Sequence, residues 1–426
     1  MGADMMGSER NPPVVQVDER PPLPVLATLS LQHLFAMFGA TILVPVLFGV
    51  DPATVLLFNG IGTLIFLAFC RWKVPAYLGS SFAFIPAVLT IIPQYGYGAA
   101  LGGFIASGII FILLAFIIGK TGTGWVEIVF PDAAMGAIVA VIGLELAPTA
   151  AKMTGLTTGG SPDPAMLAIV LVTLGVMIAG MTVFKGFLRI IPVLLGILAG
   201  CIAAVLLRRA ALDMILAAPW FSVPTFYAPT FSPAAIILIL PATAVVFVEV
   251  IGHLRVTGTI IGRDLMKDPG IEPVLYGKGI STVLSGFFGS TPNTTYAENI
   301  GVMAITRVYS TYVLAGTALI AIVISFCGKL PAAIRAIPDP VMGAVGLLLF
   351  GVIAASGIRI LIDARTDLSR SRNLVLVALI LVIGVSGASL NLGPAEIKGM
   401  ALSTVVAIVL GVFFYAVDRA GWGNDS

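Results

Sequence analysis

Two glutamates stand in stretches that hold almost no other charge: Glu249 within residues 236–253, and Glu298 within residues 293–305. A carboxylate near a bilayer centre costs about 2.5–3.5 kcal/mol on insertion scales, so such an acid turns inward onto a pathway, a proton relay or a ligand. His253 follows Glu249 by four residues, one helical turn away on the same face. A histidine beside a carboxylate can hold or pass a proton near neutral pH. The only other histidine is His33, in Leu31-Gln-His-Leu-Phe35, and it reads as a helix-packing residue. Tyr296 precedes Glu298 by two positions and Asn299 follows it. A planar heterocycle suits this set, because its ring N–H groups donate to carboxylates and its faces stack on aromatics. Phe82 is the natural second aromatic. These residues read as the substrate pathway of a transporter.

The remaining acids in apolar runs have plainer readings. Asp132 and Asp339 each follow a proline and read as helix caps. Glu145 reads as interfacial, near the outer end of its segment. The sequence holds no phosphate-cradling glycine loop, no metal cluster of Cys or His, and no nucleophile with a paired base. That argues against an ATP-driven machine and against an intramembrane enzyme. No cofactor and no nucleic-acid partner is expected, and the energy must come from an ion gradient or the flow must be passive.

The elements that position these residues follow from composition. Of 426 residues, 58% are hydrophobic and 10% charged, with a mean hydropathy of +1.07. A soluble domain of this length could not cover its surface with so few charges. The fold class is therefore an all-α polytopic membrane protein. Apolar runs predict fourteen segments near 25–49, 52–70, 75–93, 97–119, 131–147, 164–184, 187–207, 233–253, 276–288, 293–306, 310–328, 339–358, 373–391 and 397–417. No cleavable signal peptide is expected from the polar, proline-containing first twenty-odd residues, and Cys70, Cys201 and Cys327 suggest no disulfide framework. With the amino terminus cytoplasmic, only Lys152, Arg208, Arg209, Lys329, Arg335 and Lys398 of the 23 Lys and Arg fall on the outer side. This positive-inside bias places both termini inside. His253 then falls close to the cytoplasmic end of its helix.

The two halves echo one another. Phe130-Pro-Asp-Ala-Ala-Met-Gly-Ala137 returns as Ile337-Pro-Asp-Pro-Val-Met-Gly-Ala344, and Leu78-Gly-Ser-Ser81 as Phe288-Gly-Ser-Thr291. Gly60-Ile-Gly-Thr-Leu64 weakly resembles Gly279-Ile-Ser-Thr-Val283. The order is the same and the spacing nearly constant, which pairs segments 5 with 12, 3 with 10, and 2 with 9. Seven segments per repeat is an odd number, so the second copy enters the membrane inverted, as in secondary transporters with a midplane site. Segments 3 and 10 are broken by short extended stretches, at Gly79-Ser80-Ser81 and Gly289-Ser-Thr-Pro-Asn-Thr-Thr295. Irregular backbone at that depth must face protein or a water-filled cavity. Ser, Thr and Asn there are expected to cap half-helices starting near Phe82 and Tyr296, whose positive ends meet at one point.

Glu298-Asn-Ile-Gly301-Val-Met-Ala-Ile-Thr306-Arg307 resembles the signature of the nucleobase–ascorbate transporter (nucleobase:cation symporter-2) family, and Gln32-His33 resembles a second motif of that family. The resemblance runs from Leu29 to about Val417 and is strongest to the bacterial uracil permease branch, in Ser30 to Ala40 and Gly286 to Tyr296. It implies a core domain (23–120 and 230–330) and a gate domain (121–210 and 331–418) between cytoplasmic tails at 1–22 and 419–426. It implies proton-coupled uptake of uracil across the bacterial cytoplasmic membrane by a homodimer whose gate domains touch. By similarity, Glu249 and Glu298 bond the pyrimidine edge, Phe82 and Tyr296 flank the ring, and the backbone at Ala297 contacts it. His253 tunes or relays the coupled proton with Glu249, while Asn299, Ser81 and His33 support the site. The uracil branch usually has Gly where this chain has Ala297, and the added methyl bears on base preference. A purine or xanthine symporter on the same scaffold is the alternative, although its relatives often carry Gln at position 298. An anion exchanger is a more distant rival, since two acids at the site would repel an anion.

Overall fold

The structure is a computed structural model that describes residues 15–157, 163–210, 213–392 and 395–422. Residues 1–14 of the expected amino-terminal tail and 423–426 of the carboxy-terminal one lie outside the described residues. In chain order the first half contains α1 (Leu23–Phe48), α2 (Pro52–Phe69), strand β1 (Leu78–Ser80), a 3-10 turn (Phe82–Phe84) and α3 (Ile85–Thr121). It continues with α4 (Gly124–Val129), α5 (Asp132–Met153), α6 (Pro164–Thr182), α7 (Pro192–Leu206) and α8 (Asp213–Ala217). The second half contains α9 (Pro233–Ile261), α10 (Ile271–Phe288), strand β2 (Asn293–Thr295), α11 (Ala297–Thr306), α12 (Thr311–Ser325) and α13 (Lys329–Arg335). It ends with α14 (Asp339–Asp363), α15 (Ser371–Val385), strands β3 (Ser389–Leu392) and β4 (Ala395–Lys398), and α16 (Gly399–Arg419).

Local chemistry sets the helix starts. Proline opens α2, α6 and α9, where its missing N–H costs nothing. The side chain before each accepts from a first-turn N–H: Asp51 from Ala53, Asp163 from Ala165, and Ser232 from Ala235. Among the described residues, eight helices are long and apolar enough to cross a membrane. The longest, α3, is broken at Gly96, whose φ of 76° and ψ of 168° are not helical, so it supplies two segments. With α7, α10, α11, α12 and α15 the fourteen expected segments are all present, and the molecule is a multi-pass, inverted-repeat helical membrane protein. Leu171, Ile202, Val323 and Val382 stand exposed on outer faces, the apolar surface that lipid covers.

Several expected boundaries move. Helix α9 runs eight residues past His253, so this histidine lies two turns inside the helix, not at its end. Helix α10 begins at Ile271 instead of 276, which carries Lys278 two turns inward. Segment 13 stops at Val385, and segment 14 starts at Gly399, because β3 and β4 form an antiparallel hairpin between them. Asp132 and Asp339 are the first helical residues of α5 and α14 and do not cap them. Their charges complement the positive helix ends instead. Glu145 is not merely interfacial: it accepts from Met400 N at 2.8 Å and so caps α16 from a different helix.

The repeat is visible in the packing. Helices α2 and α10 have the same length, 18 residues, and keep the register of the Gly60/Gly279 sequence match. Both glycines seat a neighbouring backbone. A Cβ at Gly60 would lie 2.6 Å from the Ala318 carbonyl oxygen in α12, and one at Gly279 would lie 2.8 Å from that of Gly108 in α3. Small residues let membrane helices approach this closely. The Leu78/Phe288 match is displaced, because the strands that correspond are Leu78–Ser80 and Asn293–Thr295. They pair antiparallel, with Leu78 opposite Thr295, Gly79 opposite Thr294 and Ser80 opposite Asn293. The two broken segments therefore complete each other's backbone hydrogen bonds across the repeat axis, which is how extended chain survives at this depth.

Candidate functional site

The β1–β2 pair holds two half-helices facing opposite ways: the turn from Phe82 leading into α3, and α11 from Ala297. Neither start carries a side-chain cap, contrary to the sequence expectation. Ser81 directs only its backbone, donating N–H to Pro292 O at 3.0 Å, and its buried hydroxyl has no protein partner. In α11 the first described intrahelical bond runs from Ile300 N to Tyr296 O at 3.3 Å. The Tyr296 side chain caps none of the N–H groups of the preceding turn, and the Glu298 carboxylate engages its own N–H.

That space is a cavity of about 70 Å³. Glu249 from α9, Phe82 at one half-helix start, and Tyr296, Ala297 and Glu298 at the other all line it. Every substrate-contacting residue expected from sequence thus converges on one point, and Ser80, Thr294 and Thr295 complete the wall from the strands. The far wall is apolar, made by Val139 and Ile142 of α5 and Ile353 of α14. Phe82 reaches it as well, meeting Phe350 of α14 edge-on at 6.3 Å between ring centroids. The two carboxylates, Glu249 and Glu298, are close enough for their charges to act on one another.

Around this centre the supporting residues pair off. His253 Nδ1 shares a 2.7 Å hydrogen bond with Thr295 Oγ1, which turns Nε2 toward Glu249 Oε1 at 4.0 Å. That gap is too long for a hydrogen bond and short enough for one water or a small side-chain movement to close. Asn299 Nδ2 and His33 Nδ1 lie 2.7 Å apart in a buried contact that ties α11 to α1. The packing role read for His33 thus includes a specific polar partner. Of the expected supporting residues, His253, Asn299, His33 and Ser81 all stand outside the cavity lining; beside Ser81, its neighbour Ser80 takes the lining position and bonds Thr291 Oγ1 at 2.7 Å.

Tyr296 is held by a glycine. A Cβ at Gly79 would fall 2.1 Å from the Tyr296 ring. Gly79→Ala is therefore expected to push Tyr296 out of place and to destabilise the fold by about 1–3 kcal/mol, the usual range for overpacking. A lowered melting midpoint of the detergent-solubilised variant checks this, and an unchanged midpoint contradicts it.

Lys278 is the functional candidate that sequence reasoning missed. It is fully buried on α10, donates to Thr294 Oγ1 at 3.2 Å and to Val246 O at 3.5 Å, and lies 4.6 Å from the centroid of the Phe111 ring. Its charge acts on both Glu249 and His253. The signal was present as a cation in the apolar run Val274 to Phe288. Starting segment 9 at residue 276 left that cation at a membrane edge.

Comparison with known proteins agrees with this picture. The family model described as "Permease family" (Xan_ur_permease) matches residues 25–393. A uracil permease of Escherichia coli strain K12 is 58% identical over 406 residues, covering 95% of this chain and 94% of its own. One of Paenibacillus larvae subsp. larvae is 54% identical over 417 residues, 97% of this chain and 99% of its own. Among solved structures, the murine Solute Carrier 26 family member A9 anion transporter superposes with a TM-score of 0.72, over 94% of this chain and 69% of that one. At 11% identity this last likeness is one of fold.

Proposed function

The chain belongs to the permease family, and on that premise we propose that it imports uracil together with a proton by alternating access. The observation that carries the reading is the convergence of Glu249, Glu298, Phe82, Tyr296 and Ala297 on one cavity between the half-helix starts. Uracil presents two ring N–H donors and two carbonyl acceptors. Carboxyl oxygens of Glu298 and of protonated Glu249 accept from the former, and N–H groups at the start of α11 donate to the latter. Phe82 and Tyr296 supply the aromatic surfaces. High identity to proteins named uracil permease supports the choice of base.

The proton enters through Glu249. A neutral base carried past an ionised acid would drag a buried charge across a low-dielectric barrier, whereas a protonated Glu249 removes it. His253, turned toward that carboxylate, hands the proton on. One charge moving down the membrane potential supplies about 2.3 kcal/mol per 100 mV, enough for roughly fifty-fold accumulation. The moving parts are a core domain (23–120 and 230–330) and a gate domain (121–210 and 331–418). The cavity has strand and half-helix walls on one side and α5 and α14 on the other, which supports a rigid shift of one domain against the other. In this reading the protein works as a homodimer joined through the gate domains, in the bacterial inner membrane, with both termini cytoplasmic.

Binding of uracil, thymine, xanthine and adenine to detergent-purified protein at two pH values tests the proposal. Uracil is expected to bind most tightly, and more tightly at the lower pH. Preference for xanthine would move the chain to the purine branch, and binding only of an inorganic anion would overturn the reading. The Ala297 methyl narrows the cavity beside the ring, so Ala297→Gly is expected to admit thymine more readily relative to uracil. The same competition panel checks it.

A further inference from the structure

Lys278 is an ammonium sealed in the protein whose hydrogen-bond partners are all neutral: the Thr294 hydroxyl and the Val246 carbonyl, with the Phe111 ring beside them. A lone buried cation is costly unless a negative charge balances it. That charge lies one turn along α9 from Val246, at Glu249, and the two groups act electrostatically on each other. Thr294, which accepts from Lys278, also lines the cavity. Through Thr294 the lysine thus touches the wall of the substrate space without lining it.

We propose that Lys278 is a positioning residue for the proton-coupled step: its ammonium form balances Glu249 in the empty site and sets the pH window in which that acid takes up a proton and uracil binds. The inference rests on the functional reading above, in which protonated Glu249 is the loading form. The surroundings leave few other groups to do this. Helix α9 presents Glu249 and His253, whose charge interactions with Lys278 are both felt. Helix α3 presents the Phe111 ring, with Lys120 exposed at its far end, and its Tyr97 hydroxyl is engaged with Gly289 O. Helix α2 has no titratable side chain between Pro52 and Phe69, and strand β2 offers only hydroxyls and Asn293. On α10 itself Glu272 sits two turns away, against Gly119. Glu298, which lines the same cavity, also acts on Glu249.

The sign follows from Coulomb's law. A nearby cation favours the ionised carboxylate, so removing it lets Glu249 keep its proton to more alkaline pH. In the full-length purified protein, the pH at which uracil binding falls off is expected to rise by about one unit or more in Lys278→Met. Lys278→Arg, which keeps the charge, is expected to restore the wild-type midpoint. In the Glu249→Gln background, Lys278→Met is expected to produce no shift. A purely structural role would weaken binding by the same factor at every pH and leave the midpoint in place, which would overturn the inference. Where Lys278→Met does not yield folded protein, Lys278→Gln is measured instead and must show the same alkaline shift. Failure of the functional reading itself is separately visible, as wild-type protein that binds no uracil or binds it equally at every pH.

Discussion

Glu298→Ala is expected to abolish measurable uracil binding, weakening it by at least about 100-fold, roughly 2.7 kcal/mol. The size of the effect comes from where the acid sits. Glu298 lies in the first turn of α11, on the cavity wall, with an apolar barrier of Val139, Ile142 and Ile353 opposite. A charge-assisted hydrogen bond in such surroundings contributes about 1.5–3 kcal/mol, and its loss also leaves a ring N–H without a partner. Glu298→Gln keeps an acceptor and is expected to lose less than the alanine variant. Equilibrium binding of radiolabelled uracil to purified protein measures both, and unchanged affinity in Glu298→Ala would remove the residue from the site.

The second large effect concerns coupling. Glu249→Gln mimics the protonated acid in shape and charge but cannot release a proton. Wild-type loading is expected to be favoured below the pH at which Glu249 ionises in the empty site and lost above it; the glutamine variant is expected to load equally across that range. Uptake driven by an imposed proton gradient in proteoliposomes should then disappear, while exchange of internal for external uracil should persist. The loss is the whole of the roughly fifty-fold accumulation that 100 mV can support. Proton-dependent uptake that survived in Glu249→Gln would place the relay on another group.

Much of this organisation was legible in the chain because membranes leave few alternatives. Backbone polar groups must be satisfied within helices, so apolar length reads as a span, and Gly79 to Ser81 and Gly289 to Thr295 read as breaks. Two acids in oily sequence located the site for the same reason, since they are costly there unless they act. What escaped was set by three-dimensional partners. Helix α9 continues through Thr257 and Thr259, where Thr257 is buried against neighbouring elements and Thr259 satisfies its hydroxyl on Arg255 O within the helix, neither of which local hydropathy reports. Lys278 looked like an edge residue because nothing in its own segment announces Thr294, Phe111 or Glu249 as neighbours. The expectation of polar caps failed at the half-helices because strand pairing positions their backbones instead, leaving the first N–H groups of α11 unclaimed by a side-chain cap.

An experimental structure of the protein with uracil bound would decide the matter. The account requires the pyrimidine between the starts of α11 and the Phe82 turn, with carboxylate oxygens of Glu249 and Glu298 each within hydrogen-bonding distance of the ring. Uracil density elsewhere, or carboxylates turned away from the base, would contradict it.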